Sequence, residues 1–404
     1  MPAPVTVEEF LDLLLRSGVV ESARLEAYVQ QQRAAGGVPS SPSLVSSQLV
    51  RDGLLTQFQA QQLMLGKYLG FSIGAYHILE LLGSGGMSAV YLCRHRETGR
   101  RVAVKVLPKA LAKDPTLLKR FYREARASAA LNHPNVVRGF EADSERNQHF
   151  MVMEYVDGVS LQEIVKKHGP LSVLRASHYI RQAAVGLQYA DEQGLVHRDI
   201  KPGNLLVDRH GTVKILDMGL SRFYQEDESV LTRDVLGTLD YLAPEQARDS
   251  HSVDIRADIY SLGGTFYFLL TGNTPFGHGR LDPQAIAQQV QGPPAIRTVR
   301  PDVPEGIAAV IARMMAHAPE QRYQKPKEVA AALAAWTKTP IPPPSEVELP
   351  QLCPAARGPD DEAPPAPPAA SGRRRWWLWW VVGLLVVGGG AVVGWVVTGG
   401  DLLR

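Results

Sequence analysis

The sequence predicts an α+β protein with a strand-rich lobe followed by a helical lobe, flanked by a helical N-terminal module and a C-terminal apolar segment. Short runs rich in β-formers, separated by glycine-containing turns, begin at Tyr76. From Ser160 to Trp336 the apolar residues recur mainly at helical spacing. Five of the six tryptophans and eleven of the 29 prolines lie beyond residue 339, so the last part of the chain is of a different kind.

Composition excludes several classes of protein. The 404 residues carry a formal net charge of +2, which argues against a nucleic-acid-binding protein with a large basic field. The two cysteines, Cys93 and Cys353, exclude a disulfide framework and a Cys-based zinc site, and they suit a reducing compartment. The first fifteen residues include acids and no basic stretch, so we expect no secretory signal peptide.

Residues 1–75 are predicted to form a small helical module. Thr6 and Glu9 have the spacing of a capping box, and Gly18 ends the first apolar repeat. A second helical repeat begins at Leu25 and ends at Gly36-Gly37, and similar runs cover residues 44–50 and 58–65. The module contains no cluster of chemically reactive residues, which favours a bundle that packs its own apolar stripe over a catalytic role.

The strand-rich lobe begins directly after this module. Predicted strands cover residues 76–82, 89–95, 101–107 and 149–155, and a predicted helix covers residues 117–131. Two further strand-like runs, 205–207 and 213–216, interrupt the helical lobe.

A glycine-rich turn joins the first two predicted strands. It reads Leu82-Gly83-Ser84-Gly85-Gly86-Met87-Ser88-Ala89-Val90. Glycines let a backbone approach phosphates and donate its N–H groups. A dinucleotide fingerprint needs a helix directly after the loop, whereas a strand follows here, so the Rossmann interpretation fails. A hairpin turn without a ligand remains the alternative.

Lys105 lies at the end of an otherwise apolar run, residues 102–105. A buried ammonium is unfavourable unless an anion meets it, and Glu124 on the following helix is a candidate partner. That helix also carries Arg123 and Arg126, so spacing alone does not fix the pairing. The alternative is an edge-strand lysine that extends to water.

Two later loops supply oxygen ligands and a proton acceptor. Asp199, Lys201 and Asn204 fall within six residues, and Asp217 follows the next predicted strand. Mg²⁺ prefers such oxygen-rich sites with few protein ligands when phosphates supply the rest. Ordinary polar loops explain either piece alone but not the whole set.

In this order and spacing the motifs resemble those of eukaryotic-type (Hanks-type) protein kinases, over about residues 76–336. The resemblance implies a two-lobed protein-kinase fold with a β-rich N-lobe and an α-helical C-lobe. Lys201 and the Gly237-Thr238 pair resemble serine/threonine kinases rather than tyrosine kinases. The domain is similar to bacterial transmembrane kinases, and the N-terminal module with residues 66–73 resembles kinases of planctomycete-like bacteria.

The resemblance implies a role for each motif. Asp199 would orient the substrate hydroxyl and accept its proton, and Lys201 would neutralise charge on the transferring phosphate. Lys105, held by Glu124, would contact the α- and β-phosphates of ATP. The implied metal ligands for Mg²⁺, or Mn²⁺ in its place, are Asn204 and Asp217. The implied nucleotide-binding residues are Leu82, Gly83, Ser84, Gly85, Gly86, Met87, Ser88, Val90, Ala103, Lys105, Met153 as gatekeeper, Glu154, Val156 and Leu206.

Further positions resemble structural motifs of the family. Glu245 would pair with a distant arginine, here Arg322, and Asp258 would brace the catalytic loop. Two positions depart from the family pattern. Ser88 replaces the third glycine of the loop, and Met218 replaces the usual Phe or Leu after the metal-binding aspartate, yet neither removes a charge that the reaction needs.

Arg198 resembles the arginine that contacts a phosphorylated activation loop. Candidate acceptors are Ser221, Ser229, Thr232 and Thr238. Thr238 is expected to bond Asp199 and Lys201, so Thr232 is favoured, then Ser229. A phosphate there would place roughly −2 charge opposite Arg198 and order the loop. The alternative is that the acidic run at 226–228 already supplies this charge, or forms a solvated turn.

The C-terminal part predicts a membrane anchor. Residues 337–375 form a Pro/Ala-rich linker, expected to be an extended tether from residue 340, that ends in three arginines. Residues 376–398 carry no charged side chain and span roughly 35 Å as a helix, which favours a transmembrane helix over a buried core helix. The basic flank places the kinase domain in the cytoplasm, on a single-pass protein of the cytoplasmic membrane, with residues 399–404 as a short extracytoplasmic tail. Gly390 and Gly394 suit a homodimer of such helices.

Together these features predict a membrane-tethered serine/threonine kinase whose partners are protein substrates and the membrane, with activation-loop autophosphorylation. The alternative is an ATP-binding pseudokinase that acts as a scaffold.

Overall fold

The computed structural model describes residues 2–85, 88–218, 239–248, 253–276 and 293–357. Some predicted features lie outside these residues, namely Gly86, Met87, Ser221, Ser229, Thr232, Thr238, the apolar segment 376–398 and the tail 399–404. Within the described part of the chain, no helix has the length and apolar character needed to cross a bilayer.

Four helices lie within residues 2–66: α1 (Val7–Ser17), α2 (Ser22–Ala34), α3 (Pro42–Arg51) and α4 (Gln57–Met64). The capping box at the start of α1 is present, because Thr6 Oγ1 accepts from Glu9 N at 3.2 Å and the Glu9 carboxylate accepts from Thr6 N at 3.3 Å. The helices bury one apolar cluster that includes Phe10, Leu14 and Leu63.

This module packs on the strand Tyr76–Ser84, the first long strand of the two-lobed part of the chain, which is called the body here. Thr56 at the start of α4 donates its hydroxyl to Leu79 O, and Gln59 donates its side-chain amide to Ile78 O at 2.7 Å. Both polar side chains are buried, so these bonds satisfy groups that water does not reach. The module is therefore part of the same compact unit as the body.

The N-lobe is a six-stranded antiparallel sheet in the order β1-β2-β3-β4-β6-β5. Its strands are β1 (Ser72–Ile73), β2 (Tyr76–Ser84), β3 (Ala89–His95), β4 (Arg101–Val106), β5 (Gly139–Glu145) and β6 (Gln148–Glu154). Across the ladder Lys105 pairs with Val90 on one side and Met151 on the other, so it sits on an inner strand. The edge-strand alternative is therefore wrong.

Helix α5 (Pro115–Ala129) packs beside this sheet and carries Glu124. Asp114 caps it, since its carboxylate accepts from Thr116 N at 2.7 Å, and Pro115 occupies the first helical position. The buried face includes Phe121, Glu124 and Ala125, so the helix turns a carboxylate toward the interior.

The C-lobe is mainly helical, as predicted, with a small β7-β8-β9 sheet. Its described elements are β7 (Gly158–Ser160), α6 (Leu161–His168), α7 (Val173–Glu192), β8 (Leu205–Asp208), β9 (Val213–Ile215), α8 (Pro244–Arg248), α9 (Ile255–Thr271), α10 (Ile296–Val299), α11 (Glu305–Met314) and α12 (Pro326–Ala332). Helix α9 forms the centre, because residues from Ile255 through Leu270 are almost all buried.

The beginning of the predicted tether needs a correction. Residues 339–356 lie against the body instead of extending away from it: Leu349 is 4% exposed and Ala356 is 0% exposed. Glu348 also forms an ion pair with Arg175, with a 2.6 Å contact. Apolar and acidic residues scattered among the prolines, such as Leu349 and Glu348, provide the contacts for docking.

Candidate active site

One cluster joins the two lobes through Lys105. Its Nζ lies 3.4 Å from Glu124 Oε1 and 3.2 Å from Asp217 Oδ1. The Lys105 and Glu124 side chains are each 8% exposed, whereas that of Asp217 is 31% exposed. The structure thus resolves the pairing that spacing left open, with Glu124 rather than solvent as a partner of the lysine.

Glu124 is the most perturbed acid in this cluster. Burial, with a smaller contribution from the nearby Asp217 charge, raises its pKa to about 7 against the attraction of Lys105. A carboxyl with this pKa loses its charge as the pH falls through neutrality. The strength of the Lys105–Glu124 ion pair therefore depends on pH in the physiological range.

We expect this dependence in the use of ATP. Between pH 8 and pH 6 the ionised fraction of Glu124 falls, and kcat/KM for ATP should fall about tenfold, because kcat/KM reports ionisations of the free enzyme. The measurement is a pH profile of kcat/KM with Mg²⁺ in excess. The Glu124→Gln variant should be slow and insensitive to pH over this range. A level wild-type profile between pH 6 and pH 8 would contradict the role of Glu124.

The second cluster surrounds Asp199. Asp199 Oδ2 lies 2.9 Å from Lys201 Nζ and accepts from Asn204 Nδ2 at 2.9 Å. The same Asn204 amide donates to the Asp199 backbone carbonyl at 2.8 Å. Asp199 Oδ1 is buried and has no hydrogen-bond partner among the residues that the structure describes. One oxygen is thus fixed by the protein while the other remains an available acceptor.

The loop that carries Asp199 is held from below by Asp258. This acid is fully buried and accepts from the backbone N–H groups of His197 at 2.7 Å and Arg198 at 2.6 Å. Burial raises the pKa of Asp258, opposed by His197 and by these two hydrogen bonds. Arg198 has a φ of 67°, a left-handed conformation that a non-glycine residue rarely adopts. The two bonds from Asp258 help to hold this strained backbone in place.

The two clusters are connected through the backbone before Asp217. Leu216 N donates to Asn204 O at 2.9 Å, and the imidazole of His197 bonds Leu216 O at 2.7 Å. Asp217 then has a φ of 53°, a second left-handed non-glycine residue at the site. This bend turns its carboxylate toward Lys105. Four of the predicted residues, Lys105, Asp199, Asn204 and Asp217, therefore lie in one continuous network.

The predicted adenine-binding walls also come together. Ala103, Met153 and Val156 belong to one buried apolar cluster, and Val90 and Leu206 pack against it. Ala103 and Met153 are direct partners across β4 and β6. Residues 151–156 lead from the N-lobe sheet to the C-lobe and are called the hinge here. Within it, Glu154 N already donates to Arg138 O at 2.8 Å, so this N–H is not free for a base.

The glycine-rich turn is described on both sides of Gly86 and Met87. Gly85 N donates to Ser88 O at 2.9 Å, and Ser84 pairs with Ala89 at the end of the hairpin. A side chain at Gly83 would meet nothing within 4 Å, so the turn is open at this point. Leu82 beside it is 44% exposed. The turn is therefore open to solvent at Leu82 and uncrowded at Gly83.

Some contacts at the site had no signal in the sequence. Gln246 donates its amide to Arg198 O at 3.0 Å, which ties the end of the activation segment to the catalytic loop. Lys214 Nζ lies 2.7 Å from Glu154 Oε1 at the hinge.

The predicted pairing of Glu245 with Arg322 is present as two contacts of 2.6 and 2.8 Å.

A sequence model of the family described as protein kinase domain matches residues 76–333. The chain belongs to this family. Serine/threonine-protein kinase PknB of Mycolicibacterium smegmatis is 41% identical over 266 residues, which cover 64% of this chain and 42% of that protein. Serine/threonine-protein kinase PrkC of Bacillus subtilis is 34% identical over 269 residues, which cover 67% of this chain and 41% of that protein. The chain thus spans less than half the length of these relatives.

A solved structure shows the same architecture. The PknI kinase domain of Mycobacterium tuberculosis matches with a TM-score of 0.52 at 28% identity, covering 67% of this chain and 100% of that domain. The likeness confirms the predicted two-lobed kinase fold. With the relatives above, it groups this kinase domain with bacterial serine/threonine kinases.

Proposed function

We propose that the chain is an ATP-dependent serine/threonine protein kinase that transfers the γ-phosphate of ATP to protein hydroxyls and is tethered to a membrane. The network that runs from Lys105 through Asp217 and Asn204 to Asp199 carries this proposal. It gathers one ammonium, two carboxylates and one amide in the same fold as the buried apolar cluster that contains Ala103, Met153 and Val156.

Asp199 is the proton acceptor in this proposal. A buried carboxylate oxygen without a partner is unfavourable, and the Oδ1 of Asp199 is such an atom within the described residues. A substrate hydroxyl that donates to Oδ1 satisfies it and transfers its proton there. Its oxygen bonds the γ-phosphorus of ATP while the bond from that phosphorus to the bridging oxygen breaks and ADP leaves. Lys201, 2.9 Å from the other carboxylate oxygen, places positive charge beside the transferring group.

The donor set fits a divalent cation that takes most of its ligands from phosphates. Asp217 offers a part-exposed carboxylate, and Asn204, whose NH₂ donates to Asp199, offers its amide oxygen. Among the residues that the structure describes, no group of three or more His, Cys, Asp or Glu side chains is placed to hold a metal ion. When bound, Mg²⁺ or Mn²⁺ would neutralise charge on the phosphate oxygens. Lys105 would add its charge at the phosphates while Glu124 holds its position.

The membrane and regulatory parts of the proposal rest on sequence. Residues 376–398 would span the cytoplasmic membrane with the kinase domain in the cytoplasm, and Gly390 and Gly394 suit dimerisation. Phosphate on Thr232, or on Ser229, would meet Arg198, and Thr238 would bond the catalytic loop. The planctomycete-like character of the N-terminal module stays a proposal of the same kind.

One experiment tests both parts of the proposal. The full chain and a variant ending at residue 375 are expressed and fractionated, and each fraction receives γ-labelled ATP, Mg²⁺ and a basic protein substrate. We expect label on serine and threonine, in the membrane fraction for the full chain and in the supernatant for the shortened one. The Asp217→Asn variant is the blank. Label at the level of this blank in both chains favours the pseudokinase scaffold, and a full chain that stays in the supernatant contradicts the tether.

A further inference from the structure

Residues 339–356, called the strap here, run along the molecule from the C-lobe to the N-lobe. At the lower end, Glu348 accepts from both Arg175 Nη atoms on α7 at 2.6 and 3.0 Å, and Leu349 is buried in the C-lobe core. Burial opposes the ionisation of Glu348, yet the hydrogen bonds from Arg175 and Ser345 lower its pKa to about 2. The ion pair is therefore present throughout the physiological pH range.

The strap is also linked to the hinge, through Arg209 and through an apolar cluster. Arg209, which directly follows β8, donates to Asp157 just beyond the hinge and to Glu346 of the strap, where its Nη1 lies 2.9 Å from Oε2. Tyr155 of the hinge and Leu352 of the strap pack against the same apolar cluster. The strap is thus linked to Asp157 through Arg209 and to Tyr155 through a shared apolar cluster, on either side of Val156 in the predicted adenine site.

The upper end binds the N-lobe and the helical module. Cys353 Sγ donates to Glu80 Oε1 at 3.5 Å, and Arg94 Nη2 donates to Ala355 O at 3.0 Å. Ala356 is fully buried beside Leu79 and Leu92 of β2 and β3, and the Glu80 carboxylate also accepts from backbone N–H groups at the start of α4. One segment therefore contacts the C-lobe, the N-lobe and the module, and it is linked to the hinge through Arg209.

We propose that the strap positions the two lobes relative to each other and so sets the affinity of the hinge for ATP. A kinase binds nucleotide between lobes that rotate about the hinge, and a segment fixed on both sides of a hinge restricts that rotation. The inference rests on the proposed function for its nucleotide part. Because coupling between two sites is reciprocal, bound nucleotide also stabilises the docked strap.

Cys353 reports strap docking without an activity assay. Its thiol is half-buried in the docked strap, whereas Cys93 is fully buried in the N-lobe sheet and burial raises its pKa to about 12. The rate of Cys353 alkylation, followed by peptide mass spectrometry on the full chain, measures release of the strap. Cys93 in the same sample reports unfolding of the lobe.

The test compares wild type with Glu346→Gln/Glu348→Gln, which removes both strap charges at constant side-chain size. We expect Cys353 alkylation to become about tenfold faster with Cys93 still protected, since hydrogen bonds to charged groups are strong. KM for ATP should rise several-fold with kcat nearly unchanged. A non-hydrolysable ATP analogue should slow Cys353 alkylation in wild type. Glu97→Gln/Glu305→Gln, two exposed acids with the same total charge change, is the matched control and should behave as wild type.

Two results would overturn the proposal. One is faster Cys353 alkylation in the strap variant with unchanged KM for ATP and no protection by the analogue, which means that the strap is only structural. The other is unchanged alkylation both in this variant and in Leu349→Asp, which removes the apolar anchor. If wild type binds the analogue but transfers no phosphate, the kinase proposal fails, and protection of Cys353 by the analogue still decides the role of the strap.

Discussion

Replacing Asp199 with asparagine is expected to reduce kcat by about 10³-fold, within the usual range for loss of a positioned general base. Asparagine keeps the size of the side chain and one oxygen to accept from Asn204. It cannot take up a proton from the substrate hydroxyl, because its amide oxygen is only weakly basic. Nucleotide affinity should change little, since the predicted metal and phosphate contacts come from Asn204, Asp217 and Lys105.

The measurement is kcat and KM for ATP at saturating protein substrate, together with the binding affinity for a fluorescent ATP analogue. Asp302→Asn serves as the control, because Asp302 is an exposed C-lobe acid that forms an ion pair with Arg300. If Asp199→Asn and Asp302→Asn have the same kcat, Asp199 is not the proton acceptor. Loss of analogue binding in Asp199→Asn would instead assign it a role in holding the nucleotide.

Local sequence patterns predicted many of the helices and strands. The strand over residues 89–95 has the predicted bounds, and the helix that carries Glu124 begins two residues before its predicted start. Such elements can be predicted because the alternation of apolar and polar residues and the presence of capping residues are properties of neighbouring positions. The catalytic loop was likewise readable as a motif, since its chemistry needs particular residues at fixed spacing.

Contacts between segments that are distant in the sequence could not be predicted in this way. Glu124 has two arginines near it in sequence, and only the packing of α5 on the sheet selects Lys105. The strap reads as a proline-rich tether because its composition lacks periodicity, and docking depends on arginines more than a hundred residues away, such as Arg175. Long-range ion pairs leave no periodic signal in either partner.

The largest expected effect on stability comes from Arg322. Its side chain is fully buried, and its guanidinium uses all five N–H groups: two contacts reach Glu245 and three reach the carbonyls of Ala316, Arg256 and His317. It also lies 4.8 Å from the centre of the Tyr260 ring. This one residue therefore connects α8, α9 and the segment after α11.

Arg322→Met should lower the free energy of unfolding by about 3–5 kcal/mol, the range for removing one partner of a buried ion pair. The loss arises because Glu245 keeps a largely buried charge and three carbonyls lose their donor. Arg322→Lys should recover little, since an ammonium has three donors and cannot reproduce the planar arrangement. Urea unfolding followed by tryptophan fluorescence measures the change.

A double-mutant cycle with Glu245→Gln separates the pair from the rest of the site. Removing the stranded charge should make the double variant more stable than the sum of the single changes predicts, by about 1–3 kcal/mol. Arg297→Met, an exposed arginine on α10, is the matched control and should change stability by less than about 0.5 kcal/mol. Equal unfolding midpoints for Arg322→Met and Arg297→Met would show that the Glu245–Arg322 pair does not hold the activation segment against the C-lobe. A large loss for Arg322→Met that Glu245→Gln leaves unrelieved would instead place the stabilisation in the three carbonyl contacts.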